Sequence, residues 1–188
     1  MAASDAPAAS DALAFHLQPF PGDPAPDGLA IAGEVSRHGR ELRLNYRLGG
    51  PLSELHLPEP GAAPQRLDDL WQSTCLECFL GLPGEPGYWE LNVCPSGDWN
   101  LYRLDGYRQG LRPDAAAGAP QLQRRADPGG LALTIGLTLP PQLAQAAALE
   151  LGITAVIADR RGELSYWALR HPGEQADFHR REGFALRL

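Results

Sequence analysis

The chain contains no lysine; all 16 of its basic residues are arginine. That absence excludes Schiff-base chemistry, a pyridoxal-phosphate anchor and the phosphate-binding lysine of a Walker A loop. The single methionine is Met1, so no internal methionine can serve as an axial haem ligand. Cysteine is scarce too. Cys75, Cys78 and Cys94 make an odd number, not the even framework of a disulfide-stapled secreted domain. No apolar run approaches the ~18–20 residues of a membrane-spanning helix. Met1 to Asp11 has neither the basic nor the apolar stretch of a signal peptide. The expectation is a cytoplasmic protein with reduced thiols and no membrane partner. The Ala- and Arg-rich composition fits the coding bias of a GC-rich genome, which makes the missing lysine more a mark of the genome than of a mechanism.

A chain of 188 residues can bury a core without metal or disulfide support. Its formal charge of −7 argues against nucleic-acid binding, which needs a basic surface to displace counterions. The 21 glycines and 18 prolines punctuate the chain too often for a helical bundle and point to many short elements joined by turns.

Residues 1–11 are small and polar and read as a disordered tail. Strands are expected at Ala12–Leu17, Leu29–Val35, Glu41–Leu48, Leu52–Leu57, Cys75–Leu82, Tyr88–Cys94, Trp99–Leu104, Leu131–Leu139, Leu149–Ala158 and Glu163–Leu169. Gln121–Ala126 and Gly183–Leu188 are weaker members of the series. The clearest is Glu41–Leu48, where Leu42, Leu44, Tyr46 and Leu48 alternate with Arg43, Asn45 and Arg47, the period of a strand buried on one face. Pro141–Ala148 is the one expected helix, with proline at its start. Asp68 is a candidate helix cap. Ten or eleven strands spaced about 8–12 residues apart predict an all-β fold, an antiparallel β-sandwich or jelly roll with one short helix.

Unusual side chains concentrate between Trp71 and Tyr107. Alternation puts Trp89, Leu91 and Val93 on one face of their strand, and Tyr88, Glu90 and Asn92 on the other. In the preceding strand Cys75, Glu77 and Phe79 share a face. Pairing across the Pro83–Pro86 turn brings Glu77 beside Asn92 and Phe79 beside Glu90, and Asn100 and Tyr102 extend the same face. Carboxylates and amides suit sugar hydroxyls, and aromatic rings suit the apolar side of a pyranose. The same mixture also describes an ordinary solvated sheet face. Two carboxylates on neighbouring strands raise glycoside hydrolysis as well, which needs a pair about 5–5.5 Å or 6.5–9.5 Å apart, but nothing in the sequence selects the member that stays protonated.

Cys75-x-x-Cys78 has zinc-like spacing, yet positions i and i+3 of a strand face opposite ways, so both read as small buried hydrophobes. His16, His38, His56, His171 and His179 match no metal or catalytic spacing. No residue is assigned as catalytic or metal-ligating. Asp177-Phe178-His179-Arg180 reads either as the rim of a pocket or as an anchored loop.

The run from Trp71 through Thr74 and Glu77 to Phe79 resembles the W-x-x-D-x-x-E-x-F signature of DOMON-like domains, which are related to family 9 carbohydrate-binding modules. Tyr88, Glu90, Pro95 and Gly97 are similar to that group's following Y-x-E-x-x-x-x-P-x-G pattern. Glu163–Leu169 with Asp177–His179 is similar to the closing segment of small bacterial members. The resemblance spans roughly Trp71 to the C-terminus and implies a β-sandwich that binds a small ligand, a sugar in some branches and haem in others; the strands read before Trp71 agree with it, so one domain is expected over residues 12–188. It carries the positions Trp71, Glu77, Glu90 and Asn92. Thr74 stands where the signature has Asp, which removes the matching residue for a calcium-linked role, and haem is left with histidine and cysteine as ligands. The ligand face expected from these readings comprises Trp71, Glu77, Glu90, Asn92, Asn100, Tyr102 and His179. Its expected use is the non-enzymatic binding of a sugar-like metabolite. A haem- or redox-linked domain and a protein-interaction module are the alternatives.

Overall fold

The computed structural model describes residues 12–188. The tail expected over 1–11 lies outside them. Twelve strands are present among the described residues, and every strand-to-strand ladder is antiparallel. They are β1 (Leu13–Pro19), β2 (Ala30–His38), β3 (Glu41–Gly49), β4 (Cys75–Gly81), β5 (Tyr88–Val93) and β6 (Trp99–Leu104), then β7 (Arg112–Pro113), β8 (Gln121–Asp127), β9 (Gly130–Thr138), β10 (Glu150–Ala158), β11 (Leu164–Ala168) and β12 (Leu186–Arg187). No helix among them is long and apolar enough to cross a membrane.

Two sheets face each other as a sandwich. The first has the order β1-β2-β3-β9-β8, and the second β7-β6-β5-β4-β10-β11. Strand β1 turns the corner between them, pairing with β2 through Leu13–Leu17 and with β11 through Gln18 and Pro19. The two-residue strand β12 pairs with the start of β10.

The first sheet follows its sequence pattern. Leu42, Leu44, Tyr46 and Leu48 of β3 are buried, and charged residues between them face water. Its hairpin with β2 pairs His38 with Glu41, a two-residue connection in which Gly39 takes φ 57°. Glycine enters that region without the steric cost of a side chain. The main core fills the space between the sheets, where Leu76, Leu80, Leu91 and Ile153 from the second sheet meet Leu44, Tyr46, Leu133 and Ile135 from the first.

At the centre of this core the Tyr46 hydroxyl crosses from the first sheet to the second. It donates to the backbone carbonyl of Glu77 at 2.7 Å and lies 3.3 Å from that of Thr154. Glu77 and Thr154 are register partners on β4 and β10, so one phenol ties both strands to the opposite sheet.

The second sheet departs from simple alternation. Every residue of β4 and β5 is buried, and β10 is buried throughout except at Glu150. Its outer face is covered by the chain itself. Leu70 and Trp71 from the segment before β4, and Phe178 and Phe184 from the segment before β12, pack on it and meet Tyr88, Val156 and Tyr166 of the sheet itself in two small clusters outside the main core. The covering segment before β12 is anchored by Arg181, which bonds Glu150 at 2.6 Å and the Leu82 carbonyl at 2.6 Å. Gly81 makes that approach possible, because a Cβ there would lie 2.1 Å from the Arg181 guanidinium.

Two expected elements differ. Leu52–Leu57 is not a strand; Leu52–Glu54 forms a single 3-10 turn, and Leu55 alone bridges to Asp159. Gly50 at φ 102° and Pro51 bend the chain before a ladder can form. The helix begins at Pro141 as expected but ends at Ala144. Arg37 caps it there, donating to the carbonyls of Leu143 and Ala144 at 3.3 and 2.8 Å.

Removing the Tyr46 hydroxyl leaves two buried carbonyls without that donor, a loss of about 1–3 kcal/mol. Tyr46→Phe is therefore expected to unfold at lower denaturant with an unchanged m-value. Equal midpoints for the two proteins would refute the role given to this bond.

Candidate functional site

The covered face of the second sheet is not filled completely. A cavity of about 320 Å³ remains between the sheet and its covering segments. Glu77 and Phe79 from β4, Glu90 from β5 and Val156 from β10 form its floor. Trp71, Tyr166 and Phe178 supply aromatic walls, and Arg108 and His179 stand at its edge.

Register explains the floor. Glu77 pairs with Asn92 and Phe79 with Glu90, as the strand spacing predicts, and Asn92 and Glu90 continue to Asn100 and Tyr102 on β6. The face is buried instead of solvated: Glu77 is 3% exposed, Glu90 5% and Asn92 0%. Thr154 Oγ1 donates to Glu77 Oε2 at 3.3 Å, and Asn92 Nδ2 donates to Glu90 Oε1 at 2.9 Å. Asn92 Oδ1 is buried with no hydrogen-bond partner.

Burial, reinforced by the neighbouring Glu90 carboxylate, pushes the Glu77 carboxyl well above the ordinary carboxylate range. Burial pushes Glu90 up as well, opposed by the Asn92 hydrogen bond and by Arg108. His179 moves the other way, lowered to about 4 by burial and then by Arg108, so it is neutral at pH 7. Its Nδ1 lies 2.8 Å from Tyr88 Oη, which also accepts from the Arg108 backbone N–H at 3.2 Å. The other ring nitrogen, Nε2, lies 3.9 Å from Glu90 Oε2. Asp177 ties this edge together, accepting from Tyr107 Oη at 2.5 Å and from Arg108 at 2.9 Å.

Of the seven residues expected on the ligand face, Trp71, Glu77, Glu90 and His179 line the cavity, and Asn92 lies beneath it in contact with Glu90. Asn100 and Tyr102 do not line it. They are drawn into a network that holds the 66–70 loop: Arg66 donates to Asn100 Oδ1 at 2.8 Å, and Tyr102 Oη and Asn100 Nδ2 donate to Asp68 Oδ1 at 2.6 and 3.1 Å. Asp68 is thus a loop anchor. The residue preceding the short 3-10 turn is Asp69, and it makes no side-chain cap. Tyr102 still supports the site, its ring edge-on to Trp71 at 6.1 Å. Sequence reasoning missed Tyr166, Phe178 and Arg108. The alternation of Tyr166 with the buried Trp167 was the available signal for the first, while Phe178 and Arg108 sit in loops with no periodicity.

The residues present do not fit haem. His179 is the one imidazole on the cavity wall among the described residues, and its nitrogens face Tyr88 and Glu90. His171 Nε2 donates to the Gln18 carbonyl at 2.9 Å. Calcium does not fit at Thr74 either, whose hydroxyl donates to His56 O at 2.6 Å and accepts from Ala158 N at 3.1 Å.

No protein-family profile and no curated protein matches the chain. Among solved structures it is similar to a Bacteroides uniformis protein provisionally described as carbohydrate-binding, with 12% identity, a TM-score of 0.54, and coverage of 90% of this chain and 84% of that one. Family 9 carbohydrate-binding modules from Caldicellulosiruptor kristjanssonii, solved with cellotriose and with glucose, show 14% and 13% identity and TM-scores of 0.45 and 0.44. Each likeness covers 78% of this chain, and 68% and 69% of theirs. The first likeness is one of fold, an all-β sandwich.

A carboxyl with a raised native pKa holds its proton more tightly folded than unfolded. The stability it contributes is complete below its unfolded pKa of about 4.3 and is lost as pH rises through the native value. Glu77→Gln keeps the shape and removes the charge, so the variant should melt higher than the wild type near about pH 8 and lose less stability between about pH 5 and 8, at ~2–4 °C per kcal/mol. Parallel melting curves for the two proteins across that range would show that Glu77 is not held protonated.

Proposed function

We propose that the protein binds a small sugar or sugar-like metabolite in this cavity, without converting it. The observation that carries the reading is the joining of two buried carboxyl groups and three aromatic walls in one cavity. Carboxyl oxygens accept from ring hydroxyls, and Trp71, Tyr166 and Phe178 offer faces to the C–H side of a pyranose. The volume lies at the low end of the usual range for ligand pockets, about 300–1,000 Å³, and suits one ring better than a polysaccharide chain.

The sandwich fold is that of the Bacteroides uniformis protein described as carbohydrate-binding. The resemblance of Trp71, Glu77 and Phe79 to the DOMON-like signature agrees with a ligand-binding module.

A thermal-shift screen of neutral and amino-substituted mono- and disaccharides tests the reading. A sugar at about 100 times its Kd should stabilise the protein by about 2.7 kcal/mol. Trp71→Ala and Phe178→Ala, each still folded by circular dichroism, should abolish that shift. A screen in which no sugar moves the melting curve overturns the assignment, as does a shift that both variants retain.

A further inference from the structure

The cavity floor is rich in acceptors and poor in donors. Among the described residues no N–H group and no cation bonds the Glu77 side chain, whose hydroxyl partner Thr154 lies at 3.3 Å. Glu90 Oε1 takes the Asn92 amide, but Oε2 has only His179 Nε2 at 3.9 Å, beyond hydrogen-bond length. Asn92 is fully buried and its Oδ1 has no donor. Buried acceptors in this state are costly unless something supplies the missing donors.

The charge is equally one-sided. Glu77 and Glu90 are both buried at one cavity, while His179 is neutral. Arg108, the one cation among the lining residues, has its guanidinium 2.9 Å from Asp177 at the mouth. A neutral sugar brings hydroxyls that donate and accept alike. A protonated amine brings three donors, no acceptor and a positive charge. Aromatic faces add attraction for a cation within about 6 Å of a ring centre.

We propose that the cavity takes an amino sugar, its ammonium group seated between Glu77 and Glu90 and its ring against Trp71 and Phe178. This rests on the sugar reading above and narrows its ligand. With no ligand bound Glu77 holds its proton, as burial beside the Glu90 carboxyl favours. When the ammonium enters, Glu77 releases that proton to solvent and the carboxylate pairs with the cation, so binding tightens as pH rises while the amine stays protonated. The groups facing Glu77 are Cys75 on its own strand, Glu90 and then Cys94 from β5 and its exit, Thr154 from β10, and His179 and Arg108 from the covering loops. Tyr46 holds its backbone from behind.

Isothermal titration near about pH 6.5 with D-glucosamine, D-glucose, N-acetyl-D-glucosamine and cyclohexylamine tests this, each run in two buffers of different ionisation enthalpy. Glucosamine is expected to bind about tenfold or more tightly than glucose and N-acetylglucosamine, as a charge-assisted contact in a dry site should give. Its apparent enthalpy should differ between buffers by the amount that proton release requires. Glu77→Gln should lose both the preference and the buffer dependence; should it fail to fold, Glu90→Gln is measured for loss of the preference. Glucose or N-acetylglucosamine binding as tightly as glucosamine overturns the amino-sugar inference and leaves the sugar reading standing. Binding of cyclohexylamine with no sugar bound, or no binding at all, overturns both.

Discussion

The hydroxyl of Tyr46 stands at the centre of this molecule, donating across the sandwich to the backbone of β4 beside β10. Sheets that pack face to face are held mainly by non-directional burial, which leaves sliding and small rotations inexpensive. A buried hydrogen bond has direction. It sets β4 and β10 against the first sheet at the pair Glu77 and Thr154, and the side chains of that same pair project to the opposite face and meet at 3.3 Å. Sandwich core and cavity floor are therefore the two sides of one pair of residues.

From that arrangement follows the electrostatic character of the site. A carboxyl on an open sheet face is solvated and ordinary. Glu77 and Glu90 are not, because Trp71 and Phe178 with their neighbours close over them. Covering the face removes water from two acids and leaves Asn92 to satisfy only one of them through its amide. Two of the aromatic walls, Trp71 and Phe178, and the perturbed carboxyls thus have a common origin in the two covering segments, while Tyr166 comes from β11 itself.

Much of this was legible in the residues. Period-two alternation placed β3 and β5 correctly, and the turn between Gly81 and Tyr88 fixed the pairing of Glu77 with Asn92. A register error of one residue would have turned one of the two carboxyls into the main core, so the apolar pattern left little freedom. The cover was not legible. Residues 66–72 and 170–184 are largely irregular, and what they pack against is decided by long-range bonds such as Arg66 to Asn100 and Arg181 to Glu150. Without the cover, Asn100 and Tyr102 look like continuations of the ligand face; with it, they become supports for the loop that carries Trp71.

The wall containing Phe178 and His179 is fastened at both ends, by β11 on one side and by Arg181 with β12 on the other. A flap hinged at one end can swing open as a unit, typically over microseconds to milliseconds, whereas exposed side chains change rotamer in picoseconds to nanoseconds. The double fastening holds both ends of this wall to the second sheet, so on the fast timescale the width of the opening is set by how the rings and the Arg108 side chain turn in place.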